Sequence, residues 1–125
     1  MFTFGPDGMT DHPDHKAVCA WTTAAFDQAG KPGARLSYAT MTPEWAEEFV
    51  PRMNRFNVFM SDDTPPVTPR EDLAIDFPLP DEILDLKLRA IEAHVSQVEG
   101  MLGAFGPDFF REAHKAEFFR LAGER

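Results

Sequence analysis

A chain of 125 residues, 43% of them hydrophobic, is long enough to bury a core, and residues 1–125 read as a single globular domain. Twelve basic residues against 21 acidic ones leave a net charge of -9, a balance that repels phosphate backbones and argues against nucleic acid as a partner. One cysteine, Cys19, leaves no internal disulfide, no basic-then-apolar leader opens the chain, and no stretch approaches the roughly 20 apolar residues of a membrane span. A cytoplasmic setting is the expectation.

Phe2-Thr3-Phe4 reads as the end of a strand and Gly5-Pro6-Asp7-Gly8 as a tight turn. A helix is predicted from about Pro13 to Ala29. Thr10, Asp11 or His12 can cap it, Pro13 suits its first turn, and Gly30 closes it. Val18, Trp21, Thr22, Ala25 and Phe26 recur at helical spacing and are its expected buried face. Arg35 to Met41 is a strand candidate. Thr42-Pro43 opens a helix to about Val50, which Pro51 ends or kinks. Residues 61–72 form a polar, proline-rich loop, and Leu73 to Phe77 a short strand.

From Asp81 to about Ala104 the apolar residues Leu84, Leu88, Ile91, Val95, Val98 and Leu102 predict one long amphipathic helix, the spine of the fold. Pro107 starts a further helix through about His114. Glu117 to Ala122 fits a helical continuation or a final strand, and periodicity does not choose between them. Strands alternating with helices imply an α/β layer with a mostly parallel sheet. The strand at Phe2–Phe4 is expected at a sheet edge.

The densest group of reactive side chains is Asp11-His12-Pro13-Asp14-His15, placed where a strand has ended and a helix begins. Open α/β sheets collect ligands at such strand ends, and a helix N-terminus offers orphan N–H groups to anions. His12 and His15, three residues apart, can face one point. Two imidazoles and a carboxylate suit zinc or a similar divalent ion. Spacing alone fits capping and surface roles as well. Cys19, four residues beyond His15, either shares its face or serves as a small buried hydrophobe. His94, beside Ile91 and Val98 on the apolar stripe, is either a partly buried structural histidine or a residue lining the active site.

The run Thr3-Phe4-Gly5-Pro6-Asp7-Gly8-Met9-Thr10, followed by His12-Pro13-Asp14-His15-Lys16-Ala17-Val18, resembles the second signature of PIG-L/LmbE-type zinc-dependent N-deacetylases. Arg35 to Ala39, Lys87 to Gln97 and Phe118 to Ala122 resemble later segments of that family, with residues 43–72 the loosest match. The resemblance implies a partial Rossmann-like layer with packed helices, the C-terminal half of the family fold. It implies removal of an acetyl group from an N-acetylglucosamine-containing small molecule. It makes His15 a metal ligand, gives His12 the developing oxyanion or a proton transfer, and gives Asp14 the support of the histidine. The family has glycine before its His-Pro-Asp-His, where this chain has Asp11, so a negative charge lies beside the site. The remaining ligands and the general base belong to a His-Pro-Asp-Asp motif that these 125 residues do not contain. The ligand set for zinc or another divalent metal is therefore expected to be incomplete here, with an N-terminal half or a second copy of the chain as partner, and the isolated chain is expected to be inactive. The contrasting expectation is a non-catalytic, acidic interaction or small-ligand-binding module that descends from the same fold.

Overall fold

The computed structural model describes residues 1–61 and 65–123. Among the described residues nine elements follow one another: β1 (Phe2–Phe4), α1 (Pro13–Ala29), β2 (Ser37–Ala39), α2 (Pro43–Met53), β3 (Ile75–Pro78), α3 (Asp81–Glu92), α4 (Val95–Phe105), α5 (Pro107–Ala113) and β4 (Ala116–Leu121), with a kinked helical turn at Gly8–Asp11 between β1 and α1. Single 3-10 turns lie at Asn54–Phe56 and Arg70–Asp72. Residues 62–64 of the proline-rich loop fall outside the described residues.

The four strands form one sheet in the order β1-β2-β4-β3, with β1 at an edge as expected. The pair β1–β2 is parallel, with Phe2 opposite Ser37 and Phe4 opposite Ala39, and the helix α1 forms the crossover between them. The pair β2–β4 is antiparallel, with Tyr38 opposite Arg120. The sheet is thus mixed rather than mostly parallel. The connection from β2 to β4 is long and helical, so its length leaves either direction open, and the direction is set by the ladder itself, in which Ser37 faces Leu121 and Ala39 faces Phe119. The same pairing settles the open choice at the C-terminal segment in favour of a strand.

By compactness the chain divides into Met1–Asp76 with Phe118–Arg125, and Phe77–Glu117. In the first unit one core cluster gathers Cys19, Leu36 and Tyr38, with Phe4, Phe26 and Ala122 packed against it. A second gathers Met41, Val50 and Phe59, joined by Met9, Trp45 and Met53. Thr42 is completely buried and caps α2, its hydroxyl accepting from Trp45 N at 3.2 Å. That helix runs through Pro51 to Met53 instead of stopping at Val50.

α1 begins and ends where its caps predicted, but it turns a different stripe inward. Trp21 is 72% exposed and Val18 and Ala25 are also exposed, whereas Cys19 is buried and Thr22, Thr23 and Phe26 are half-buried. The inward residues are 15, 19, 22, 23 and 26, an equally good helical series.

In the second unit the expected long spine is two helices. α3 stops at Glu92 and α4 starts at Val95, with His94 between them at φ -85°, ψ 55°. The break separates the apolar stripe: Leu84 and Val98 are buried, Leu88 and Ile91 are half-buried, and Val95 is 58% exposed. Phe109, Phe110 and Ala113 of α5 are buried as well. Arg111 pairs with Asp81 at 2.8 Å and with Asp85, and Lys87 pairs with Glu117 at 2.6 Å. No helix among the described residues is long and apolar enough to cross a membrane.

Candidate functional site

The site is built from a backbone irregularity. After β1 the chain turns at Gly5–Gly8, closed by Gly8 N–H donating to Gly5 C=O at 2.9 Å. Gly8, Met9 and Asp11 then all have positive φ, at 69°, 63° and 60°. L-residues pay to enter that region, and such outliers persist only where their surroundings over-determine them. Here they do. The Asp7 carboxylate accepts from Met9 N at 2.6 Å, the Met9 side chain is packed against the second core cluster, and Thr10 C=O accepts from Met60 N at 2.9 Å. A side chain at Gly8 would be strained by its φ of 69°, and its Cβ would lie 2.9 Å from Lys16 Cγ, so the lysine side chain would have to shift.

Asp11 occupies the left-handed conformation that glycine favours, which accounts for how an aspartate can stand at this point of the turn. Asp tolerates that region better than most residues. Its carboxylate is taken up by an ion pair with Lys16, one turn into α1.

His12 is the N-cap of α1. Its backbone is extended (φ -68°, ψ 129°), and its ring Nδ1 accepts the orphan N–H of Asp14 at 3.1 Å. This is an N-cap made with an imidazole in place of a hydroxyl or carboxylate. The contact has a chemical consequence. A neutral ring that accepts at Nδ1 carries its proton on Nε2, so Nε2 is a donor. Asp14 meets His12 through its backbone N–H, and its own side chain is exposed.

His15 is held the opposite way. Its Nδ1 lies 2.9 Å from the carbonyl oxygen of Gly8. A carbonyl only accepts, so Nδ1 is the protonated nitrogen and Nε2 keeps its lone pair. The imidazole stacks on the Phe4 ring, with centroids 3.9 Å apart and planes 5° from parallel. The His12 ring lies 4.9 Å from that of His15 and is tilted by 32°. Both histidines are half-buried.

The structure therefore brings the rings of His12 and His15 together just after β1, while Asp14 contributes only its backbone N–H and the Asp11 carboxylate is engaged with Lys16. Cys19 lies on the same side of α1 as His15, but in the core, with Sγ 4.0 Å from Thr23 Oγ1, which in turn lies 2.9 Å from the Tyr38 hydroxyl. His94 belongs to the other compact unit. There it is exposed rather than partly buried, and its carbonyl accepts from Gln97 N at 2.8 Å.

Two residues of the site had escaped the sequence reading. Phe4 and the Gly8 carbonyl hold His15 from eleven and seven residues upstream. No periodicity relates a strand end to a helix face, so the only signal in the sequence was the glycine itself.

Beside the positive-φ turn opens a small cleft of about 170 Å³, lined by Asp7, Met9, Asp11, Phe59, Ser61 and Pro66 among others. Two wider depressions of the same unit, about 550 and 470 Å³, contain no histidine or cysteine in their walls. Volume and chemistry thus point to different places, and the chemistry decides, because of these three the small cleft alone shares a residue, Asp11, with the histidine cluster.

The donor set fits a metal in part. His15 with its Nδ1–H on a backbone carbonyl is the arrangement that ligating histidines use to fix their tautomer. His12 in the tautomer described is a hydrogen-bond donor and not a ligand. Among the described residues, no group of three or more His, Cys, Asp or Glu is placed to hold a metal ion. Compared with known proteins, the chain matches no protein-family model, no curated protein and no solved structure.

Proposed function

We propose that this chain carries part of a PIG-L/LmbE-type deacetylase site, one that hydrolyses the N-acetyl group of an N-acetylglucosamine-containing small molecule. The observation that carries the reading is the pair of opposite tautomers: His15 offers a lone pair at Nε2, and His12, 4.9 Å away, offers a proton at Nε2. Amide hydrolysis assisted by a metal needs both, a ligand for the ion and a donor for the oxyanion.

His15 would hold zinc or another divalent ion through Nε2, with the remaining ligands and the general base coming from outside these 125 residues. When bound, such an ion lowers the pKa of water and polarises the acetyl carbonyl. His12 donates its Nε2–H toward the oxygen on which negative charge develops, where one placed donor is worth roughly 100-fold or more. The Asp14 N–H holds His12 in the donating tautomer, and the Gly8 carbonyl holds His15 in the ligating one. Asp11, balanced by Lys16, borders the small cleft, where a carboxylate suits sugar hydroxyls. A Rossmann-like parentage for the sheet, a cytoplasmic setting, and a partner in the form of an N-terminal half or a second copy belong to the same proposal.

The incomplete ligand set among the described residues favours one rival, a non-catalytic small-ligand module on the same fold. A polypeptide bearing His-Pro-Asp-Asp after a strand, encoded next to this chain and mixed with it, separates the two. Chelator-sensitive acetate release from an N-acetylglucosamine glycoside, lost in His12→Ala, supports the hydrolase. No release from that mixture, and no zinc-induced change at His15, leaves the ligand module.

A further inference from the structure

A histidine ring has two freedoms that decide what it presents: the tilt of its plane and the choice of nitrogen that carries the proton. At His15 the Gly8 carbonyl addresses the second, since rotating the ring by half a turn would set a carbon against the oxygen 2.9 Å away. It does little for the first, because one hydrogen bond is a pivot. The plane is fixed by something else. Phe4 lies face to face with the imidazole at 3.9 Å and 5°, and Phe4 is itself held by packing against the Cys19, Leu36 and Tyr38 cluster. Behind it stands the paired backbone of β1.

We infer that Phe4 is the positioning residue of His15, the surface against which the imidazole is laid so that Gly8 can select its tautomer and Nε2 points to one place. The inference rests on the reading of His15 as a metal ligand. A ring that could tilt off Phe4 would lose the alignment of Nδ1–H with the Gly8 carbonyl, and hydrogen bonds weaken steeply with angle. The tautomer would then be free to exchange, and part of the population would present N–H where the ion needs a lone pair. An aliphatic residue of similar volume keeps the core filled but provides no flat face.

The test uses the whole chain and reads the ring directly. Nitrogen NMR of the metal-free chain at about pH 8, above the ordinary histidine range, should show His15 in the single tautomer protonated at Nδ1. Its ring protons should be shifted upfield by the Phe4 face. Phe4→Leu should mix the two tautomers and weaken zinc binding through His15 by about tenfold or more, the scale of loss for partners that orient a ligand. Phe4→Tyr, which keeps the face, should restore both. If Phe4→Leu does not fold, Phe4→Met fills the volume and serves in its place. A single tautomer and undiminished zinc affinity without the aromatic face would overturn the inference, as would mixed tautomers in the unmodified chain. If the tautomers behave as expected but zinc moves no His15 signal, the positioning role stands and the metal reading fails.

Discussion

His12 is asked to do two things, and they can be separated. As the N-cap of α1 it satisfies the Asp14 N–H with Nδ1, and through that bond it places its proton on Nε2. Replacement by alanine removes both; replacement by asparagine restores an acceptor at the cap but no imidazole. Losing a capping side chain costs about 0.5–2 kcal/mol in general. The His12 bond is solvent-exposed, so the lower half of that range applies, about 0.5–1 kcal/mol. For a chain of this size that is a fall in Tm of about 2–6 °C. His12→Ala should therefore unfold earlier in urea and on heating, with an unchanged m-value, while His12→Asn stays close to the parent. Both should lose the donor at Nε2 and the activity that depends on it. If His12→Ala is as stable as His12→Asn, the cap bond does not exist in solution. The tautomer of His12, and with it the oxyanion role, would then have no structural basis.

Three further outcomes are expected. Leu84, at 3% exposure, should cost about 2–5 kcal/mol when cut to alanine, whereas Val95→Ala, on the same sequence stripe but 58% exposed, should stay within about 0.5 kcal/mol in the same denaturation experiment. Thr3 Oγ1 is buried with no hydrogen-bond partner among the described residues, so Thr3→Val should be neutral or stabilising by about 1 kcal/mol; a clear loss of stability would show that the hydroxyl has a partner in solution. His114 has its pKa lowered from 6.5, chiefly by burial, with Lys87 adding to the effect and the hydrogen bond to Phe110 C=O and the charge of Glu117 opposing it. The fold thus prefers the neutral ring. Its contribution is intact above pH 6.5 and declines as the pH falls below that value toward the lowered pKa, because the unfolded chain takes up the proton first. Urea titrations between about pH 5 and 8 should show this slope in the parent and a shallower one in His114→Asn.

Much of the candidate site was legible before any coordinates. The order strand, glycine turn, cap, Pro13, His15 places two imidazoles on one helix start, and the structure keeps them there. What could not be read was how each ring is held. The tautomers follow from Asp14 N–H and Gly8 C=O, backbone groups that carry no side-chain signature, and the plane of His15 follows from Phe4 across a tertiary gap. The inward stripe of α1 was misread for a related reason. Val18-Trp21-Ala25 and His15-Cys19-Phe26 are both valid helical series, and hydrophobicity prefers the one containing tryptophan. The Gly8 bond and the Phe4 stack lock His15 inward, and the rest of the helix follows in phase, leaving Trp21 in solvent.

Local chemistry, then, was decided by the sequence alone: where α1, α2 and α5 start, because caps and prolines act on their nearest backbone; where turns fall, because glycine permits positive φ; and which residues are chemically able to serve a metal or an oxyanion. Pairing partners were decided by the tertiary structure. Residues 116–121 are extended because they lie between β2 and β3 in the sheet, with Phe119 to Leu121 in an antiparallel ladder on β2, an interaction some eighty residues away that no window of sequence contains. The helical stripe from Leu84 to Leu102 is continuous in sequence yet broken at His94 in space, with neither glycine nor proline at the break. Periodicity records which residues are apolar, but only packing determines that Val98 is buried while Val95, one turn earlier, is left in water.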